Sequence, residues 1–357
     1  MVEYDASVPK HLIFCIANHF EPSWRGNEMY DIETQRRRLD HWCKLAERAG
    51  DAVRDSDGTK FRHTNFYPAE QYDRGLLNTI ADLQAAGLGE VEVHLHHGVK
   101  SPDTKEELRS QLIEFRDRLA EDHKCLSRLD GEGPPMYAFV HGNWALGNSA
   151  NGRYCGVDSE FEILRQTGCY IDMTLPSAPD ISQVPVLNSI YECGLPFSER
   201  APHRKQKRLT VNGSKPQLPV LVTGPLVLDW SARQKALPLP KIDNGELAHF
   251  RKTNLHRLDR WVGANVTVKG RPDWCFIKLH CHGFFDDDQE ACIGDEAIRA
   301  FSEIVDHGER TGAYNVHFAS AREVFNIIMA AVEGLTGSPN EYRDYRLMPI
   351  GLLANRK

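Results

Sequence analysis

The sequence lacks both common nucleotide-binding turns: no Gly-x-Gly-x-x-Gly follows its first apolar run, and no Gly-Lys-Ser/Thr phosphate loop occurs anywhere. It also lacks a Cys-x-x-Cys pair. The nine cysteines are odd in number and scattered, so they are expected to be reduced and mostly buried rather than bridged. No apolar run approaches a membrane span, and Met1-Val2-Glu3-Tyr4-Asp5 has neither the basic start nor the apolar core of a signal peptide. A cytoplasmic chain with no membrane partner is the expectation. Positive charge is not in excess either: the formal net charge of -7 argues against a broad nucleic-acid surface, which needs clustered Lys and Arg. The run His203-Arg204-Lys205-Gln206-Lys207-Arg208 is the local exception, and it reads as a solvated loop in preference to a phosphate patch. With 26% charged and 41% hydrophobic residues, the composition is that of an ordinary globular protein.

What the sequence does have is two strands of the same unusual kind. In Val91-Glu92-Val93-His94-Leu95-His96-His97-Gly98 the hydrophobic period is two, with Val91, Val93 and Leu95 on one face and Glu92, His94 and His96 on the other. In Phe276-Ile277-Lys278-Leu279-His280-Cys281-His282-Gly283, Lys278, His280 and His282 share a face in the same way. Strands in large α/β proteins usually bury both faces, so a polar face carrying imidazoles needs hydrogen-bond partners or a metal.

Around these strands the chain alternates strand and helix. His11 to His19 reads as a central strand ending in Asn18-His19-Phe20-Glu21-Pro22; Asp31 to Ala49 reads as a helix with Gly50 as its C-cap. Strands are then expected over Arg62 to Pro68, Met136 to Gly142, Cys169 to Met173, Val220 to Pro225 and Tyr314 to Phe318. Helices are expected over Ala69 to Ala86, Asp103 to His123, Val157 to Gln166, Gly245 to Val262, Ile293 to Gly308 and Ala319 to Glu333. From Leu175 to Pro219 the pattern dissolves, and a loop of that length is usually functional. It follows the strand ending at Asp172 and is expected to fold over the mouth of the site as a lid. About eight strand–helix units without a linker favour one α/β domain over residues 1–357, a single (β/α) barrel of about seven or eight strands with a long loop insertion at 175–219.

The chemistry-bearing residues collect at the expected strand C-termini: His19 and Glu21, then His94, His96 and His97, then His141, Asn143 and Trp144, then Asp172, and finally His280 and His282. Structural histidines have no reason to concentrate at one end of a barrel. Imidazole with carboxylate suits zinc, nickel, cobalt or manganese, and an incomplete protein shell leaves room for water.

The order of these motifs resembles that of the polysaccharide deacetylase superfamily of (β/α) barrels, in an uncharacterised bacterial branch. Asn18-His19-Phe20-Glu21-Pro22 stands where that family has its first acidic motif, and Thr64-Asn65-Phe66-Tyr67-Pro68 is similar to its second strand. Glu90 to His97 resembles the metal strand, Gly142 to Gly147 the aromatic groove motif, and Leu279-His280-Cys281-His282 the late segment that supplies the acid. The resemblance implies a metal-dependent hydrolase that removes an acyl group from a carbohydrate-like substrate, a small molecule or an oligosaccharide. The chain departs from the family in having Asn18-His19 in place of a pair of aspartates, and His94-x-His96-His97 in place of the spaced histidine pair. A different shell is therefore implied, with a divalent ion, most readily zinc, on His19, His94 and His96. Glu21 or Asp172 would be the base and His280 or His282 the acid. His141, Asn143 and Trp144 would meet substrate, Trp144 by stacking on a sugar. A metal phosphoesterase or amidohydrolase, or a catalytically silent carbohydrate-binding barrel, are the alternatives.

Overall fold

A computed structural model describes residues 9–25, 28–230 and 240–354; the amino-terminal residues Met1 to Asp5, read above for a signal peptide, lie outside them. The architecture is mixed α/β, built on a 12-stranded, mostly parallel sheet. Its principal strands are β1 (Lys10–His19), β2 (His63–Pro68), β3 (Gly89–Leu95), β4 (Glu132–His141), β5 (Cys169–Asp172), β6 (Ser189–Cys193), β7 (Gln206–Arg208), β8 (Val220–Thr223), β9 (Trp274–Cys281) and β10 (Tyr314–Phe318). They are ordered β7-β6-β8-β5-β4-β3-β2-β1-β9, with β10 beside the first half of β1. All neighbours from β8 to β9 along this path pair in parallel; β6 and β7 run antiparallel. The carboxyl ends of the parallel strands therefore lie along one edge, and it carries His19, His94, His141, Asp172 and His280.

Period-two alternation sorts each strand between two cores. Leu12, Phe14 and Ile16 of β1, Val91, Val93 and Leu95 of β3, and Cys275, Ile277 and Leu279 of β9 face the helices α1 (Ile32–Ala52), α2 (Arg74–Ala85), α3 (Lys105–Asp117), α4 (Glu160–Thr167), α5 (Leu255–Gly263) and α6 (Asp295–Thr311). Ile13, Cys15, Ala17, Ala138, Val140, Trp274 and Phe276 face the other way, onto α7 (Ala321–Val332). Every residue of α7 is buried. A capping box starts it: the Ser320 hydroxyl accepts from Glu323 N at 3.2 Å, and the Glu323 carboxylate accepts from Ser320 N at 2.9 Å. Toward the carboxyl edge the same face turns polar, first with Glu92 and Lys278 and then with the histidines. Glu92 is satisfied by Ala138 N at 2.6 Å and the Tyr170 hydroxyl at 2.5 Å.

Three expected elements differ. Gly50 lies inside α1, which runs to Ala52; a side chain there would meet Leu88 Cδ2 at 2.3 Å, so close packing rather than capping calls for glycine. The helix expected from Gly245 is confined to α5, because residues 245–247 pair instead along β9: His280 N donates to Gly245 O and Leu247 N to His280 O. The 175–219 segment is not structureless, since β6 and β7 lie within it and extend the sheet. It is also tied to the turn after β4 by Ala201 N donating to Gly147 O and by the Arg200–Asp158 pair at 2.7 Å. His203, read as part of a solvated run, is fully buried against Phe161, while Arg204 pairs with Glu199 at 2.8 Å and Lys207 with Glu192. On the side of β9 away from β1, Phe276 N also donates to Val266 O, and Lys269 exchanges backbone bonds with Leu209 and Val211. Among the described residues no helix is long and apolar enough to cross a membrane.

Candidate metal centre

The first group of side chains closes on Glu21, which follows β1 by two residues. Its carboxylate lies 3.4 Å from His94 Nε2 and 3.2 Å from His96 Nε2. His19 and His282 also stand beside it, their rings 4.5 Å apart between centroids, and the His19 ring lies 4.9 Å from that of His94. Two sets have all their ligand atoms within 4.8 Å of one another: His19, Glu21 and His282, and Glu21, His94 and His96. Glu21 belongs to both.

The outer nitrogens of the β3 histidines are held from behind. His94 Nδ1 meets the carbonyl of Val140 at 2.7 Å, so it carries the proton and leaves Nε2 as a bare lone pair directed at the site; that atom is buried and has no hydrogen-bond partner. His96 Nδ1 lies 2.6 Å from the Glu70 carboxylate, which also accepts from His96 N at 3.3 Å. Metal-ligating histidines are oriented in this way, by a carbonyl or a carboxylate on the far nitrogen. The glycine after each motif answers to packing. A Cβ on Gly283 would meet the Trp42 ring at 2.3 Å, and the Gly283 N–H donates to Asn18 Oδ1 at 3.0 Å, fixing the turn that carries His282.

Electrostatics set the protonation states. Burial, with the repulsion of His282, His94 and His280, pushes His19 well below the ordinary imidazole range and keeps it neutral. Burial works to raise Glu21, but the cluster of imidazoles around it, His94 first and then His96 and His282, outweighs it and brings the carboxyl down to about 2. Burial opposes protonation of His96 as well, yet Glu70 prevails and raises it. His282 is lowered chiefly by burial; it is half-buried and stacks on Phe285 at 4.9 Å. His280 is buried, with Nδ1 unpartnered, and burial together with Lys278 depresses it strongly.

Asp172 lies in a different setting. Its carboxylate accepts from Thr174 N at 3.0 Å and Thr174 Oγ1 at 2.9 Å, and burial raises it to about 7 against those bonds. Lys278, lowered by burial to about 8, donates to Met173 O at 3.0 Å beside it. Asn143 is exposed and Trp144 half-buried, both at positive φ in the turn after β4. His141 is not at the surface at all: it is fully buried and joins a second group.

That group is His97, His141, Cys155 and Glu160, all buried, with ligand atoms within 4.8 Å of one another; it can hold a metal ion. It exists because alternation sends His97 to the face opposite His94 and His96. Cys155 and Glu160 escaped the sequence reading, since one lies in an aperiodic loop and the other in the first turn of α4, where a carboxylate is ordinarily read as complementing the helix dipole. The unassigned His97 was the only sequence signal pointing toward them.

No family model matches the chain, and no curated protein matches it.

Proposed function

We propose that the chain is a metal-dependent hydrolase that removes an acyl group from a carbohydrate-like substrate, on a deacetylase-like (β/α) barrel. The observation that carries this reading is the buried, unpartnered His94 Nε2, directed with His96 Nε2 at the Glu21 carboxylate on the edge where the parallel strands end. Carboxyl ends of such strands are the usual place for catalytic groups in barrels. The bonds of residues 266–269 with both Phe276 and residues 209–211 support the barrel reading, because they bridge the two flanks of the sheet.

The donor set fits a divalent ion of the zinc or manganese class. Glu21, His94 and His96 would hold it, with His19 beside them, its ring 4.9 Å from that of His94. When bound, such an ion acidifies water and polarises an acyl carbonyl. Glu21 would thus act within the ligand set, and Glu70 would keep His96 oriented. His282, the more accessible ring, would deliver a proton to the departing amine or alkoxide. Trp144 and Asn143 would border the substrate. Asp172, engaged by Thr174, would serve the interior rather than the reaction.

One feature favours a second reading. A carboxylate shared by two histidine pairs is the pattern of a two-metal centre, as in metal phosphoesterases and amidohydrolases. Turnover of acylated sugars and of phosphodiesters by the purified protein, with and without chelator, tests both. Chelator-sensitive deacylation is expected, phosphodiester cleavage alone would move the assignment to the second reading, and sugar binding without any metal-dependent turnover would overturn both.

A further inference from the structure

The second group raises a different question, because a proton-linked network does not account for all of its atoms. Glu160 Oε1 faces His97 Nε2 at 3.2 Å and His141 Nε2 at 3.4 Å. Glu160 Oε2 accepts from Gly147 N at 2.5 Å and faces Cys155 Sγ at 3.6 Å. A single proton can bridge His97 and Glu160. It cannot also serve His141, whose Nδ1 is committed to the Gly142 carbonyl, leaving Nε2 as a buried lone pair against a carboxylate oxygen and without a hydrogen-bond partner. Two lone pairs facing each other in a dry interior repel unless a cation lies between them.

The surroundings have the form of a ligand shell. Behind His97 stands the Asp103 carboxylate, 3.0 Å from Nδ1, and behind His141 a backbone carbonyl. These outer partners aim both Nε2 atoms inward, as carboxylates and carbonyls do for metal-bound histidines. The four side chains are each at most 3% exposed. Two imidazoles, a thiol and a carboxylate make a four-donor set of the softness zinc prefers, with no position turned to solvent.

We infer that His97, His141, Cys155 and Glu160 hold a second, structural divalent ion of the zinc class, separate from the group around Glu21. On binding, the S–H bond of Cys155 breaks and the proton shared by His97 Nε2 and Glu160 is given up; both protons leave to solvent as sulfur–metal and nitrogen–metal bonds form. The ion joins the ends of β3 and β4, the loop at 155 and the first turn of α4. It thereby clamps the chain on the far side of His96, whose neighbour His97 it ligates. Gly98 fits this role: at φ +63 its Cα packs so closely that a Cβ would lie 2.2 Å from the Cys155 carbonyl oxygen, bringing the thiol loop against the strand end.

Full-length protein produced in zinc-depleted medium with cobalt tests this by absorption. A cobalt–thiolate charge-transfer band in the near ultraviolet is expected, because this group contains a cysteine and the Glu21 group does not. Cys155→Ser should abolish the band, and Glu21→Gln should leave it in place, which separates this inference from the hydrolase reading. If Cys155→Ser does not fold, protection of wild-type Cys155 from a thiol reagent by cobalt, mapped by mass spectrometry, replaces it. Folded wild-type protein with no thiolate band, a band surviving in Cys155→Ser, or Cys155 labelled equally with and without cobalt would each overturn the inference.

Discussion

A methyl group placed on Gly142 tests how tightly His96 is held. The Cβ of Gly142→Ala would lie 2.3 Å from His96 Cδ2, 2.5 Å from Cγ and 2.8 Å from Cα. The ring must recede by about 1 Å to regain ordinary contact, and close-packed interiors resist such shifts. It cannot turn aside freely, because Glu70 holds both its Nδ1 at 2.6 Å and its backbone N–H at 3.3 Å. Overpacking of this kind costs about 1–3 kcal/mol. Scaled by about 2 cal/mol/K of unfolding entropy per residue, that is a fall in Tm of about 1–4 °C for a chain of this length. The larger effect falls on metal binding: a ligand displaced from its supporting carboxylate weakens affinity about 10- to 100-fold. Chelator competition measures the affinity and calorimetry the melting. Gly263→Ala is the control, since nothing lies within 4 Å of its added Cβ. A Gly142→Ala protein that binds the ion as tightly as wild type, and melts with it, would refute the placement of His96 in the ligand set.

Two further outcomes follow from the buried polar groups. His63, lowered to about 4 by burial and held by the Cys292 carbonyl at 3.1 Å, stays neutral in the fold while the unfolded chain takes up its proton near pH 6.5. Its contribution is therefore present above pH 6.5 and lost as pH falls toward 4, about 3 kcal/mol in all at 1.36 kcal/mol per unit; urea midpoints against pH should flatten in His63→Gln, and an unchanged slope would contradict the assignment. The Arg322 guanidinium, buried between Glu90 at 2.7 Å and Asp344 at 2.6 Å with Leu347 O at 2.9 Å, leaves uncompensated groups when removed. Arg322→Ala should cost about 3–5 kcal/mol in denaturant unfolding, and a loss below about 1 kcal/mol would mean that water replaces it.

The strands were legible because a two-residue period survives in any strand with one face toward α7 and the other toward the outer helices. Tyr314–Phe318 was read with its observed bounds, and β1 and β9 to within a residue or two. His94 and His96 could be paired, and His97 set apart, from alternation alone. What sequence could not supply was contact across the chain. Nothing at Glu70 marks it as the partner of His96, and nothing at Cys155 or Glu160 marks the group they form with His97 and His141. The stretch from Gly245 failed for a related reason: helical spacing was present, but the backbone of β9 offered a competing edge. The strands β6 and β7 were missed because they are short and lie among prolines and charges, where burial is set by neighbours such as Phe161 and not by periodicity.

The position of β1 has a consequence for how the chain comes into being. The first strand made pairs with β9 on one side and, on the other, with β10 and β2. During synthesis only β2 is within early reach; the other two neighbours, and the wholly buried α7 that covers its inner face, are made only after the other parallel strands. Until then Ile13, Cys15 and Ala17 have no lasting cover. Loop closure over such separations is slow, and a strand that waits for its partners with apolar side chains uncovered is the kind of segment that aggregates before the fold is complete.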